Sequence, residues 1–91
     1  MAVIAIKHAH TQPDAVVHAA LKQLMAQLKH DYQIDHTWHD NTIHFHRSGA
    51  SGTLSMHKHC VEVHIKLSMM LGMFEKKIRT SITDYCAEHL V

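Results

Sequence analysis

From Ile34 to Leu67 the chain carries apolar side chains at every second position, and that alternation restricts its possible folds more than any other feature. The runs are Ile34, His36, Trp38; Ile43, Phe45, Arg47; Leu54, Met56; and Val61, Val63, Ile65, Leu67. A period of two sends successive side chains to opposite faces of a strand, so each run describes a strand with one face towards a core. Asp40-Asn41, Ser48 to Gly52 and Lys58-His59 separate the runs and are short enough for hairpins. Four strands in an antiparallel meander are expected.

The flanks change period. Ala2 to His8 reads as another strand, with Ile4 and Ile6 on one face and Val3 and Ala5 on the other. A helix is predicted from Thr11, as N-cap, to about His30, with Pro13 and Asp14 in its first turn. Its stripe is Val17, Leu21, Leu24 and Leu28, while His18, Lys22, Gln23, Gln27 and Lys29 lie largely away from it. From Ser68 to about Leu90 helical spacing returns, with Leu71, Phe74, Ile78, Ile82 and Tyr85 on one stripe.

The order is therefore β-α-β-β-β-β-α, an α+β class. If the first helix runs back along the first strand, the fifth strand ends antiparallel to the first. The first strand can then close the edge beside the fifth, with both helices on one face of an antiparallel sheet and the other face open. This order resembles the helix-grip and TATA-binding-protein-like folds, a likeness that carries no function by itself.

Ninety-one residues make one domain, residues 1–91, with no repeat, linker or low-complexity tract. Nine basic and eight acidic residues leave a net charge of +1, too weak a field to make nucleic acid a default partner. Twelve histidines make that charge strongly pH-dependent around a pKa of about 6.5. Cys60 and Cys86 lack a CxxC spacing and nothing at the N-terminus resembles a cleavable signal, which implies reduced thiols in a cytoplasmic protein. The longest apolar stretch, Leu67 to Phe74, is far short of the roughly 18–20 residues of a membrane span.

The segment Trp38 to Leu54 resembles the most recognisable part of the small bacterial polyhydroxyalkanoic acid system proteins. The best-matched positions are Trp38, Asp40, Phe45, Arg47, Ser48, Gly49, Ser51, Gly52, Thr53 and Leu54. The opening Ile-x-Ile strand and the Leu-x-x-Phe entry to an Ile-studded helix look like that family too. The resemblance implies an accessory role in polyhydroxyalkanoate synthesis, storage or granule surface, with a granule or a granule protein as partner. The histidines at positions 39, 46, 57 and 59 depart from the family pattern and suggest a specialised member.

Strand parity gathers chemistry on the face away from the helices. Asp35, Thr37, His39; Thr42, His44, His46; Thr53, Ser55, His57; and Cys60, Glu62, His64, Lys66 share it. A two-residue turn at Lys58-His59 sets His57 opposite Cys60, Ser55 opposite Glu62 and Thr53 opposite His64. His44, His57, Cys60 and His64 are thus candidate ligands for zinc, nickel or copper. The alternatives are an ordinary solvated face, a proton sensor or a partner contact, because no finger or His-Glu-x-x-His spacing is present.

Arg47 falls by parity on the face of Ile43 and Phe45, where a guanidinium needs a partner. It could cap a helix end, or form an anion or carboxylate site with Ser48, Gly49, Ser51, Gly52 and the turn amides. On the last helix, Met69 and Met73 fall opposite the apolar stripe, exposed and suited to an oligomer contact or a granule surface. Neither a Gly-x-Ser-x-Gly elbow nor a nucleotide loop occurs, and Cys86 reads as a packing residue. The chain is therefore expected to be a non-catalytic binding protein without a resident cofactor. It would bind a granule surface, a granule protein or a small acidic ligand; a histidine-rich metal- or pH-responsive domain is the alternative.

Overall fold

The computed structural model describes residues 2–91. Strands β1 (Ala2–Ala9), β2 (Asp35–His39), β3 (Thr42–Arg47), β4 (Ala50–His57) and β5 (Cys60–Leu67) form one sheet of order β1-β5-β4-β3-β2. Every pairing is antiparallel, with β1 on the edge beside β5. Helices α1 (Asp14–Tyr32) and α2 (Glu75–His89) cover one face. The order read from hydrophobic period is the order observed.

Parity explains the core. Ile4, Ile43, Phe45, Leu54, Val61, Val63, Ile65 and Leu67 turn inward and are buried. Val17, Leu21, Leu24 and Leu28 of α1 and Ile78, Ile82 and Cys86 of α2 meet them. Burying a Leu or Ile side chain contributes about 1.5–3 kcal/mol, so these two stripes hold the helices to the sheet. Trp38 stacks on His18 with centroids 4.3 Å apart, bringing a histidine expected on the solvent side of α1 into the packing.

Several boundaries depart from expectation. Pro13 rather than Thr11 is the N-cap of α1, because the Pro13 carbonyl accepts the first helical bonds, from Val16 and Val17. Thr11 is diverted: its N–H and its Oγ1 both donate to the Val91 carbonyl, each at 3.1 Å. At its other end α1 runs to Tyr32 and closes with Gln33 in the left-handed region (φ 58°). The Gln33 amide there donates to the Lys29 carbonyl at 2.9 Å, the bond of an αL cap, and the Ile34 amide reaches the Leu28 carbonyl at 3.4 Å. The β3–β4 turn is only Ser48-Gly49, since Ala50, Ser51 and Gly52 already pair with Arg47, His46 and Phe45. Nor does the last helix begin at Ser68. The Ser68 carbonyl accepts from Leu71 and Gly72, a short 3-10 turn spans Gly72–Phe74, and α2 starts only at Glu75.

Candidate functional site

The face without helices is polar in continuous rows. One row runs Lys66, Ser51, His46, Asp35; the next His64, Thr53, His44, Thr37; the third Glu62, Ser55, Thr42, His39. His57 and Cys60 pair at the end of their hairpin as the parity argument predicts. Thr37 Oγ1 lies 3.1 Å from His46 Nε2, and His39 and His44 meet edge to face at 5.5 Å. Glu62 sits between two imidazoles, 3.6 Å from His57 Nε2 and 3.9 Å from His64 Nε2.

The candidate metal ligands do not converge. His44 and His64 flank Thr53 within one row, two strands apart, while His57 and Cys60 lie together at the end of the β4–β5 hairpin. Among the described residues no group of three or more His, Cys, Asp or Glu side chains could hold a metal ion.

The structure brings together only part of the Arg47 constellation. Arg47 keeps the helix side of the sheet expected from parity, in register with buried Ala50, but its side chain is exposed at the strand end, where Nη1 donates to the Tyr32 carbonyl at 2.5 Å and closes the C-terminal end of α1. Ser48 lies in the turn and Ser51 on the polar face, whereas Gly52 lies in register with the inward-facing Phe45 and Ile65. Arg47, Gly49 and Ser51 border a shallow hollow with Lys66 and Ser68; Ser48 and Gly52 stand outside it.

On its other side Arg47 edges a larger cleft of about 500 Å³ between the end of α1 and the start of α2. Its apolar lining is Ile34, Ala50, Leu67, Leu71, Phe74 and Ile78, and Lys77 and Asp31 complete the rim. Period analysis misses this cleft because its walls come from six separate elements, α1, β3, β4, β5, the 3-10 turn and α2. The turn that supplies Leu71 and Phe74 inward presents Met69, Met70 and Met73 outward, 87%, 80% and 77% exposed. Met69 and Met73 are thus as exposed as expected, but on this turn rather than on a helix face, and Met70 joins them.

A buried histidine also escapes the parity argument. His10 is 5% exposed; its Nδ1 accepts the Gln12 N–H at 3.1 Å and its Nε2 has no partner. Burial lowers its pKa, His59 and His8 add to the shift, and Asp14 opposes it. Burial likewise pushes the Cys86 thiol up to about 11, in keeping with a packing role.

Comparison with known proteins decides the family. A family model described as "Putative polyhydroxyalkanoic acid system protein" matches residues 4–90. The chain belongs to this family. No curated protein and no solved structure matches the chain. The match spans every element from β1 to α2, so the polar face, the methionine turn and the Arg47 cleft all lie inside the family's domain. The family description names the polyhydroxyalkanoic acid system and specifies no enzymatic activity. Among the described residues no helix is long and apolar enough to cross a membrane.

Proposed function

We propose that this chain is an accessory, non-catalytic protein of the polyhydroxyalkanoate system that attaches to the granule surface in the cytoplasm through the turn Met69, Met70, Met73. The observation that carries the reading is the grouping of three of the most exposed large apolar side chains on one turn. Thioethers are flexible and polarisable and adapt to an irregular apolar surface. Exposed Lys66 and Lys76 near the turn in sequence would add attraction to an anionic surface. A polyester granule offers the apolar layer that such a turn could enter, and family membership supplies the context.

The test is co-sedimentation of purified protein with isolated granules. The triple variant Met69→Ser, Met70→Ser, Met73→Ser should fold normally and bind at least about tenfold less, because even partial burial of three methionines exceeds the 1.4 kcal/mol of a decade. Wild-type protein left wholly in the supernatant, or a triple variant that pellets equally, removes the reading.

A second reading is a histidine-rich metal- or pH-responsive domain; Glu62 lying between His57 and His64 is what supports it, although no three such side chains converge as a ready metal site among the described residues. Calorimetric titration with zinc, nickel and copper separates the two readings. Metal affinity unchanged in a folded His64→Gln variant would dismiss this face as the site.

A further inference from the structure

We propose that the cleft between the ends of α1 and β5 and the start of α2 is a binding site for an amphiphilic carboxylate. The occupant is an alkanoate, with its head group between Arg47 and Lys77 and its chain over the apolar floor. This site is independent of granule attachment, since the methionines face away from it.

Three observations converge on that chemistry. The first is charge. Arg47 gives one N–H to the Tyr32 carbonyl, which leaves four of the five guanidinium donors for another acceptor, and neither Arg47 nor Lys77 has an acidic partner among the described residues. Asp31, the acid on the rim, is 3.0 Å from His30 Nδ1. The second is the floor, built from Ile34, Leu67, Leu71, Phe74 and Ile78, with two cations at its edge. An inorganic anion would engage the cations and leave that floor wet, and a neutral hydrocarbon would do the reverse. Only a ligand with both parts matches both halves. The third is size: about 500 Å³ lies within the roughly 300–1,000 Å³ of ordinary small-molecule sites and accommodates a medium-length alkyl chain.

The rim also argues for a guanidinium rather than a second ammonium. Arg47 is anchored by the carbonyl at the end of α1, so its plane is set before a ligand arrives. Lys77, on the first turn of α2 and also lining the cleft, supplies a second, point-like positive charge.

The experiment is an amide-resolved NMR titration of the intact chain with octanoate, with acetate and 1-octanol as controls for tail and charge. Octanoate should shift the amides of residues 32–34, 47–50 and 71–78 in saturable fashion, while acetate and 1-octanol at equal concentration should not. Lys77→Gln, an exposed site that leaves the fold intact, should weaken octanoate about tenfold, the worth of one charge-assisted hydrogen bond in a half-open cleft. Arg47→Lys, which keeps the charge and loses the planar fork, should also weaken it. Shifts that do not saturate, equal response to 1-octanol, or octanoate affinity unchanged in both Lys77→Gln and Arg47→Lys would each overturn the site. Tighter binding of N-acetyl-leucine than of octanoate would also overturn the assignment, by marking a peptide terminus as the occupant.

Discussion

Replacing Gly52 by alanine should be among the most damaging single substitutions in this chain, although it adds one methyl group. A Cβ at position 52 would stand 2.1 Å from the His64 carbonyl oxygen and 2.7 Å from the Ile65 Cα, both backbone atoms of the neighbouring strand. An ordinary contact needs more than 3 Å, so β4 and β5 must part by about 1 Å locally, and no side-chain rotation relieves it. Overpacking alone costs about 1–3 kcal/mol. Parting the strands also weakens adjacent ladder hydrogen bonds at about 0.5–1.5 kcal/mol each. A total of about 3–5 kcal/mol is a large share of the roughly 5–14 kcal/mol expected for a domain of this length. With an unfolding entropy of about 2.1 cal/mol/K per residue, the melting temperature should fall by about 15–25 °C. Circular dichroism melts and urea titrations of wild type and Gly52→Ala measure it directly. A variant melting within about 5 °C of wild type would refute the steric argument and show that the sheet yields at this point.

Two further outcomes follow from the buried groups. His10 is harder to protonate folded than unfolded, so the unfolded chain binds more protons between the lowered folded pKa and about 6.5; stability is full above 6.5 and declines as the pH falls through that window. His10→Gln should flatten this part of the stability–pH curve, and an unchanged slope would contradict it. In native protein, iodoacetamide should label half-buried Cys60 and leave Cys86 untouched, since Cys86 is 0% exposed and its thiol is held near 11. Equal labelling by mass spectrometry would mean that α2 opens readily from the sheet.

Where the sequence speaks through period, it speaks accurately. Alternation from Ile34 to Leu67 determines which side chains enter the core, and the order β1-β5-β4-β3-β2 follows once α1 must return the chain to the same sheet. Local competition is harder to read. Thr11 has the chemistry of an N-cap, yet its hydroxyl donates to the Val91 carbonyl, a partner 80 residues away that no window includes. Gly49 and Gly52 look like one turn signal, but only Gly49 has a left-handed backbone (φ 88°); Gly52 is required by the close approach of another strand. Arg47 shows the same limit. Its position at a strand end and its need for a partner were legible, whereas the Tyr32 carbonyl and the cleft beside Lys77 exist only after six elements pack.

The placement of β1 has a kinetic consequence. The strand synthesised first pairs with the strand synthesised fifth, in a register that joins Ala2 to Leu67. On a ribosome β1 must wait until β5, ending at Leu67, has emerged, while β2 to β5 zip through successive two-residue turns as they appear. During that interval β5 is an uncapped edge carrying Val61, Val63, Ile65 and Leu67, a template to which another chain can add a strand. β1 therefore acts as an intramolecular guard on that edge, and the speed of its return governs how long nascent copies remain open to one another.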